Sequence, residues 1–110
     1  MWFKVECDFF DHPKIEAIGE KAAFVFLRGL AYCVKHMTDG AIPVAVAHRW
    51  ASPATIKRLT TIQPGQHFPL WHNVRATFQI HDFLKHQKSR DQLMEKREKN
   101  KARIANWRKL

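Results

Sequence analysis

At 110 residues the chain has the size of one small domain, which excludes a multidomain enzyme built around a deep cleft. With 45% hydrophobic and 26% charged residues it is composed like a globular protein rather than a disordered or membrane-embedded one. Lysine and arginine number 19 against 10 aspartates and glutamates, a formal +9 and a pI near 10.0, so the composition favours a polyanionic partner or an acidic membrane surface.

Cys7 and Cys33 are too few for a disulfide scaffold. No basic segment followed by an apolar one opens the chain, and no apolar run reaches the roughly 18 residues a membrane span needs. Together these read as a cytoplasmic protein with reduced thiols. The charge is unevenly spread. Residues 1–84 hold nine basic side chains against seven acidic ones, a net +2; residues 85–110 hold ten against three, a net +7. The chain therefore divides into a nearly neutral body, 1–88, and a basic tail, 89–110.

The opening segment carries Trp2, Phe3, Val5, Cys7, Phe9 and Phe10 and reads as a buried strand or arm. Asp11 is placed to cap a short helix bearing Ile15 and Ile18, with Gly19 as its stop. Residues 20–37, EKAAFVFLRGLAYCVKHM, lack proline and are apolar around most of the helical circumference, which predicts the central buried helix. Gly29 within it marks a close crossing. Thr38, Asp39 and Gly40 are turn residues, and the stretch Ala41, Ile42 and Pro43 is short enough for one or two residues of edge strand.

Residues 43–50 predict a two-turn helix, Ala51 and Ser52 a tight break, and 53–62 a second helix with Ser52 as N-cap and Pro53 at its first position. Two short helices across a minimal turn are the pattern of a helix-turn-helix. Ile56, Leu59 and Ile62 share the inner face, leaving Thr55, Lys57, Arg58, Thr60 and Thr61 outside as duplex-facing groups. After a loop at 63–66, residues 67–83 predict two short strands bending near Asn73, Val74 and Arg75, a hairpin wing with Arg75 positioned for the DNA backbone. Ser89 and Gln92 have capping-box spacing, opening a tail helix of about 33 Å if continuous to residue 110. The predicted fold is thus mainly α (α+β), a winged helix-turn-helix with a basic C-terminal helix.

In order and spacing, WFKVECDFFDHPKI, TDGAIPVAVAHRW, FQIHDF and SRDQLMEKREKNKARIANWRK resemble the short winged-helix or helix-turn-helix proteins of actinobacterial phages and prophages. The resemblance covers almost the whole chain but contains no catalytic signature, and TTIQPGQHFPLWHNV departs from its pattern. What it implies is a role in replication initiation or its regulation.

Three acids cannot neutralise the tail, so Lys96, Arg97, Lys99, Lys101, Arg103, Arg108 and Lys109 are expected to meet DNA phosphates. Pairing such as Glu95 with Lys99 is the competing use of those charges. A membrane surface is not expected, because Leu93, Ile104, Trp107 and Leu110 build no wide apolar stripe. The competing function is an adaptor that recruits or inhibits a host or phage replication or transcription protein, and a homodimer through the opening segment or the tail stays open.

Seven histidines and two cysteines show no zinc-ligand spacing, and neither GxSxG nor a phosphate-binding loop is present, so no metal, cofactor or enzyme activity is expected. His81 and Asp82 read as a strand-end pair. Trp2, Phe9, Phe24, Phe26, Trp50, Trp71, Phe78 and Phe83 read as core, with stacking of single-stranded DNA as the alternative use.

Overall fold

The computed structural model describes residues 1–108. It is mainly helical with a small three-stranded antiparallel sheet. A single 3-10 turn, Phe9–Asp11, precedes α1 (Pro13–His36), followed by β1 (Ala41–Pro43), α2 (Val44–Trp50), α3 (Pro53–Thr60), β2 (Trp71–Val74), β3 (Thr77–Ile80), a one-turn α4 (Phe83–His86) and α5 (Arg90–Arg108).

Gly19 breaks α1 as expected, with φ 83° and ψ 170° inside the helix, a conformation that glycine adopts without a Cβ penalty. The N-cap is His12 rather than Asp11: Pro13 fixes the first helical position, and the Lys14 N–H donates to His12 Nδ1 at 3.2 Å, while Asp11 belongs to the preceding turn. Met37 closes the helix in the left-handed region, φ 54°, and the Thr38 N–H returns to the Cys33 carbonyl at 3.0 Å.

The sheet order is β1-β3-β2, with Ile42 and Asn73 both opposite Phe78 and Trp71 opposite Ile80. Its inner face, Ile42, Trp71, Phe78 and Ile80, joins Ala22, Val25, Leu30 and Cys33 of α1 in one buried core. Gly29 is the point of closest approach: a Cβ there would lie 2.9 Å from both Ile42 and Trp71 side-chain atoms. Cys33 is buried in this core, and burial pushes its thiol pKa up to about 11, a neutral packing group.

α3 ends at Thr60, two residues before the expected limit. The Thr60 and Thr61 hydroxyls donate back to the Ile56 and Lys57 carbonyls, at 3.0 and 2.6 Å, and the Gln63 amide donates to the Arg58 carbonyl at 3.1 Å. Ile62 therefore leaves the helical phase and is exposed instead of joining the core.

The opening segment is neither a strand nor wholly buried. Phe3 and Phe9 pack on the core while Trp2, Val5 and Phe10 face solvent. One side chain fixes it: the amide of buried Gln87 accepts from the Lys4 N–H at 3.0 Å and donates to the Lys4 carbonyl at 2.6 Å, satisfying backbone that has no neighbouring strand.

α5 is rooted in the body by its first turn. The Ser89 hydroxyl accepts from the Gln92 N–H at 3.2 Å and the Gln92 side chain accepts from the Ser89 N–H at 2.8 Å, the reciprocal pair read from the sequence. The Arg90 N–H donates to the Asp39 carboxylate at 2.6 Å, and Leu93 is buried. From position 94 to 108 every residue is exposed. The radius of gyration is accordingly 16.5 Å, against about 13 Å for a compact chain of this length. No helix among the described residues is long and apolar enough to cross a membrane.

Candidate nucleic-acid interface

On α3 the sequence-predicted contacts separate into three groups. Thr55 is a correction: it is buried, and its N–H and hydroxyl are both engaged by the Ser52 hydroxyl, at 3.3 and 3.2 Å, so it completes the N-cap instead of facing outward. Thr60 and Thr61 commit their hydroxyl protons to helix carbonyls, leaving only lone pairs, which a phosphate oxygen does not seek. Lys57 and Arg58 are exposed. They differ in what they hold.

Arg58 Nη1 donates to the Ile18 carbonyl at 3.1 Å, at the point where the Gly19 break deprives that carbonyl of a helical partner. The guanidinium thus ties α3 to α1. No hydrogen bond or ion pair among the described residues engages the Lys57 ammonium.

The hairpin turns at Arg75 and Ala76, since Asn73 and Val74 are paired within β2. Arg75 is exposed with φ 58°, a region where a hairpin tip favours glycine or asparagine over a long cationic side chain. The tip is short and held down: the Val44 N–H donates to the Ala76 carbonyl at 3.0 Å.

Sequence reasoning missed a third cationic group. Lys21 of α1 and His48 and Arg49 of α2 line a hollow of about 510 Å³ at the α2–α3 break, with no carboxylate among the described residues in its lining. Next to it the Arg28 guanidinium lies 5.1 Å from the Trp50 ring centre. The heptad spacing of Lys21, Arg28 and Lys35 was the available signal.

The tail cations Lys96, Arg97, Lys99, Lys101, Arg103 and Arg108 are all exposed on α5; Lys109 lies outside the described residues. The Lys99–Glu95 pair, 3.1 Å, is the only ion pair within α5 among the described residues. α5 carries seven basic and three acidic residues over Arg90–Arg108. Root and hairpin tip lie at opposite ends of the sheet, because Asp39 adjoins the Ala41↔Gln79 end whereas Arg75 adjoins Pro43↔Thr77. The root of α5 and the hairpin tip are therefore separated by the length of the sheet.

On the β2–β3 pair, His72 Nε2 and His81 Nδ1 lie 2.8 Å apart, His81 Nε2 lies 3.3 Å from the Asp82 carboxylate, and Phe68 stacks on the His81 ring at 4.6 Å. Loss of hydration, with the nearby His72, Lys14 and Lys85 charges adding, lowers the His81 pKa below the usual histidine value despite the opposing pull of Asp82. No group of three or more His, Cys, Asp or Glu side chains among the described residues is arranged to hold a metal ion.

No protein-family model, no curated protein and no solved structure matches the chain.

Proposed function

We propose that the protein is a non-catalytic DNA-binding protein of winged-helix type, its α3 and hairpin tip on duplex and its α5 on phosphates. Supporting the fold assignment is the order helix, strand, helix, helix, strand, strand, with the first strand pairing beside the hairpin. The phage or prophage setting, and a role in replication initiation or its regulation, rest on the family resemblance of the sequence. The observation that carries the reading is α5, a helix of about 28 Å that leaves the body with its basic excess exposed and a single internal ion pair among the described residues. Such a helix has the diameter of a major groove and the charge to displace counterions.

Because the α3 hydroxyls are engaged in the fold, contacts come chiefly from cations to the backbone, and sequence discrimination is weak. The test is the salt dependence of duplex affinity in the full chain. Replacing Lys99, Lys101 and Arg103 together by Gln is expected to flatten the log affinity against log salt slope by about 0.9 per lost contact. An unchanged slope rejects the reading.

The adaptor reading draws on exposed Ile104 and Trp107 near the end of α5, which fit a protein groove better than phosphate. It is favoured if Trp107→Ala abolishes capture of a replication or transcription protein from nuclease-treated lysate while duplex binding is absent from the native chain.

A further inference from the structure

We propose that the cleft between the N-terminal arm and the root of α5 takes an unpaired nucleotide of a single-stranded nucleic acid, its base stacked on Trp2 and its phosphates on Lys4, Lys88, Lys96 and Arg97. The cleft has a volume of about 410 Å³, inside the roughly 300–1,000 Å³ range of sites for small ligands. Those four cations and Asn100 line it, and among the described residues no carboxylate does.

Four basic side chains around one hollow repel one another. Lys88 registers this: the Lys96 charge first, then loss of hydration and the Lys4 charge hold its ammonium pKa below the usual lysine value. A phosphate removes that repulsion, which no lining carboxylate among the described residues does.

Trp2 supplies the second half of the chemistry. Its indole is 69% exposed although it lines the cleft, with the Lys96 ammonium 5.8 Å from the ring centre. An exposed indole beside cations is the composition of a base-stacking platform, tolerant of sequence because every base has a π face. The arm that carries the platform is anchored two residues on, where Gln87 grips the Lys4 backbone from both sides. In duplex DNA the bases are paired and stacked inside, so Trp2 selects unpaired nucleotides. Lys96 and Arg97 serve this cleft and the tail alike, and for those two side chains the proposal rests on the nucleic-acid reading of α5.

The experiment titrates the full chain with fluorescently labelled oligothymidylate and, separately, with a labelled duplex at one salt concentration. Trp2→Ala is expected to weaken oligothymidylate binding by about 5- to 150-fold and to leave the duplex unchanged. Trp2→Phe should restore most of the loss, and Lys88→Gln, an exposed change that leaves the arm intact, should weaken oligothymidylate selectively. The site is overturned if native protein does not bind oligothymidylate, if Trp2→Ala binds it normally, or if Trp2→Ala loses both ligands equally. A chain that binds oligothymidylate through Trp2 but ignores duplex keeps this site and sinks the duplex reading.

Discussion

α3 and α5 both carry exposed cations, yet they use their polar groups in opposite ways. α3 turns inward: Thr55 completes a cap, Thr60 and Thr61 bond their own helix, and Arg58 braces α1. α5 turns outward, with Leu93 its one buried residue and Glu95–Lys99 its only internal ion pair among the described residues. Exposure alone does not make a side chain available to a ligand; its hydrogen-bond commitments decide how much of it is left over. By that measure α5, Lys57 and Arg75 are better contacts than the hydroxyls between them.

The contrast is sharpest within α3, where neighbouring cations should behave differently. Arg58→Ala removes the donor to the Ile18 carbonyl and is expected to cost about 1–2 kcal/mol of stability, whereas Lys57→Ala stays within about 0.5 kcal/mol and weakens duplex binding. Thermal melts beside binding titrations separate the two; equal melting temperatures would erase the distinction between brace and contact.

A smaller effect is expected at the hairpin tip. Arg75→Gly relieves a positive φ and should raise stability by about 0.5–1 kcal/mol while lowering the salt slope of duplex binding by about 0.9. A variant that gains stability with no change in slope would remove Arg75 from the interface.

The smallest effect concerns the sheet. Because the folded His81 pKa lies below the unfolded value, the unfolded chain takes up a proton more readily as pH falls below about 6.5, and stability declines down to the folded pKa. Melting temperatures from pH 7 to pH 5 should drop less steeply in His81→Gln than in the native chain. Parallel profiles would show that other groups dominate the acid limb.

Much of the architecture is legible because its determinants are local. Ser52 and Ser89 announce caps within three residues, Gly19 requires a positive φ, and Ala41 to Pro43 follow turn residues. Gly29 is readable as a close crossing because a central apolar helix offers few other uses for glycine. Ile62 is misread for want of one fact, where α3 stops, since periodicity places a residue only while the helix continues. The opening segment is misread because six apolar residues look alike whether an arm buries both sides or one.

What stays hidden in the sequence depends on pairings across long stretches of chain. Arg58 to Ile18 spans 40 positions, Arg90 to Asp39 spans 51, and Gln87 to Lys4 spans 83. No local pattern foretells them, yet they decide which cations are braces and where Trp2 stands. The split between nearly neutral body and basic tail is legible from charge alone; the cleft that joins Trp2 to that tail is not.

The Asp39 contact makes the long helix a lever with its fulcrum in a turn. Asp39 sits between α1 and β1, and its carbonyl is also gripped by Gln79 from β3 at 3.0 Å. Over a helix of about 28 Å, a swing of 10° at the root displaces the far end by about 5 Å, nearly the rise of one helical turn. The reach of the outermost cations is therefore geared to the sheet, and a disturbance of β3 is magnified at the far end of the helix.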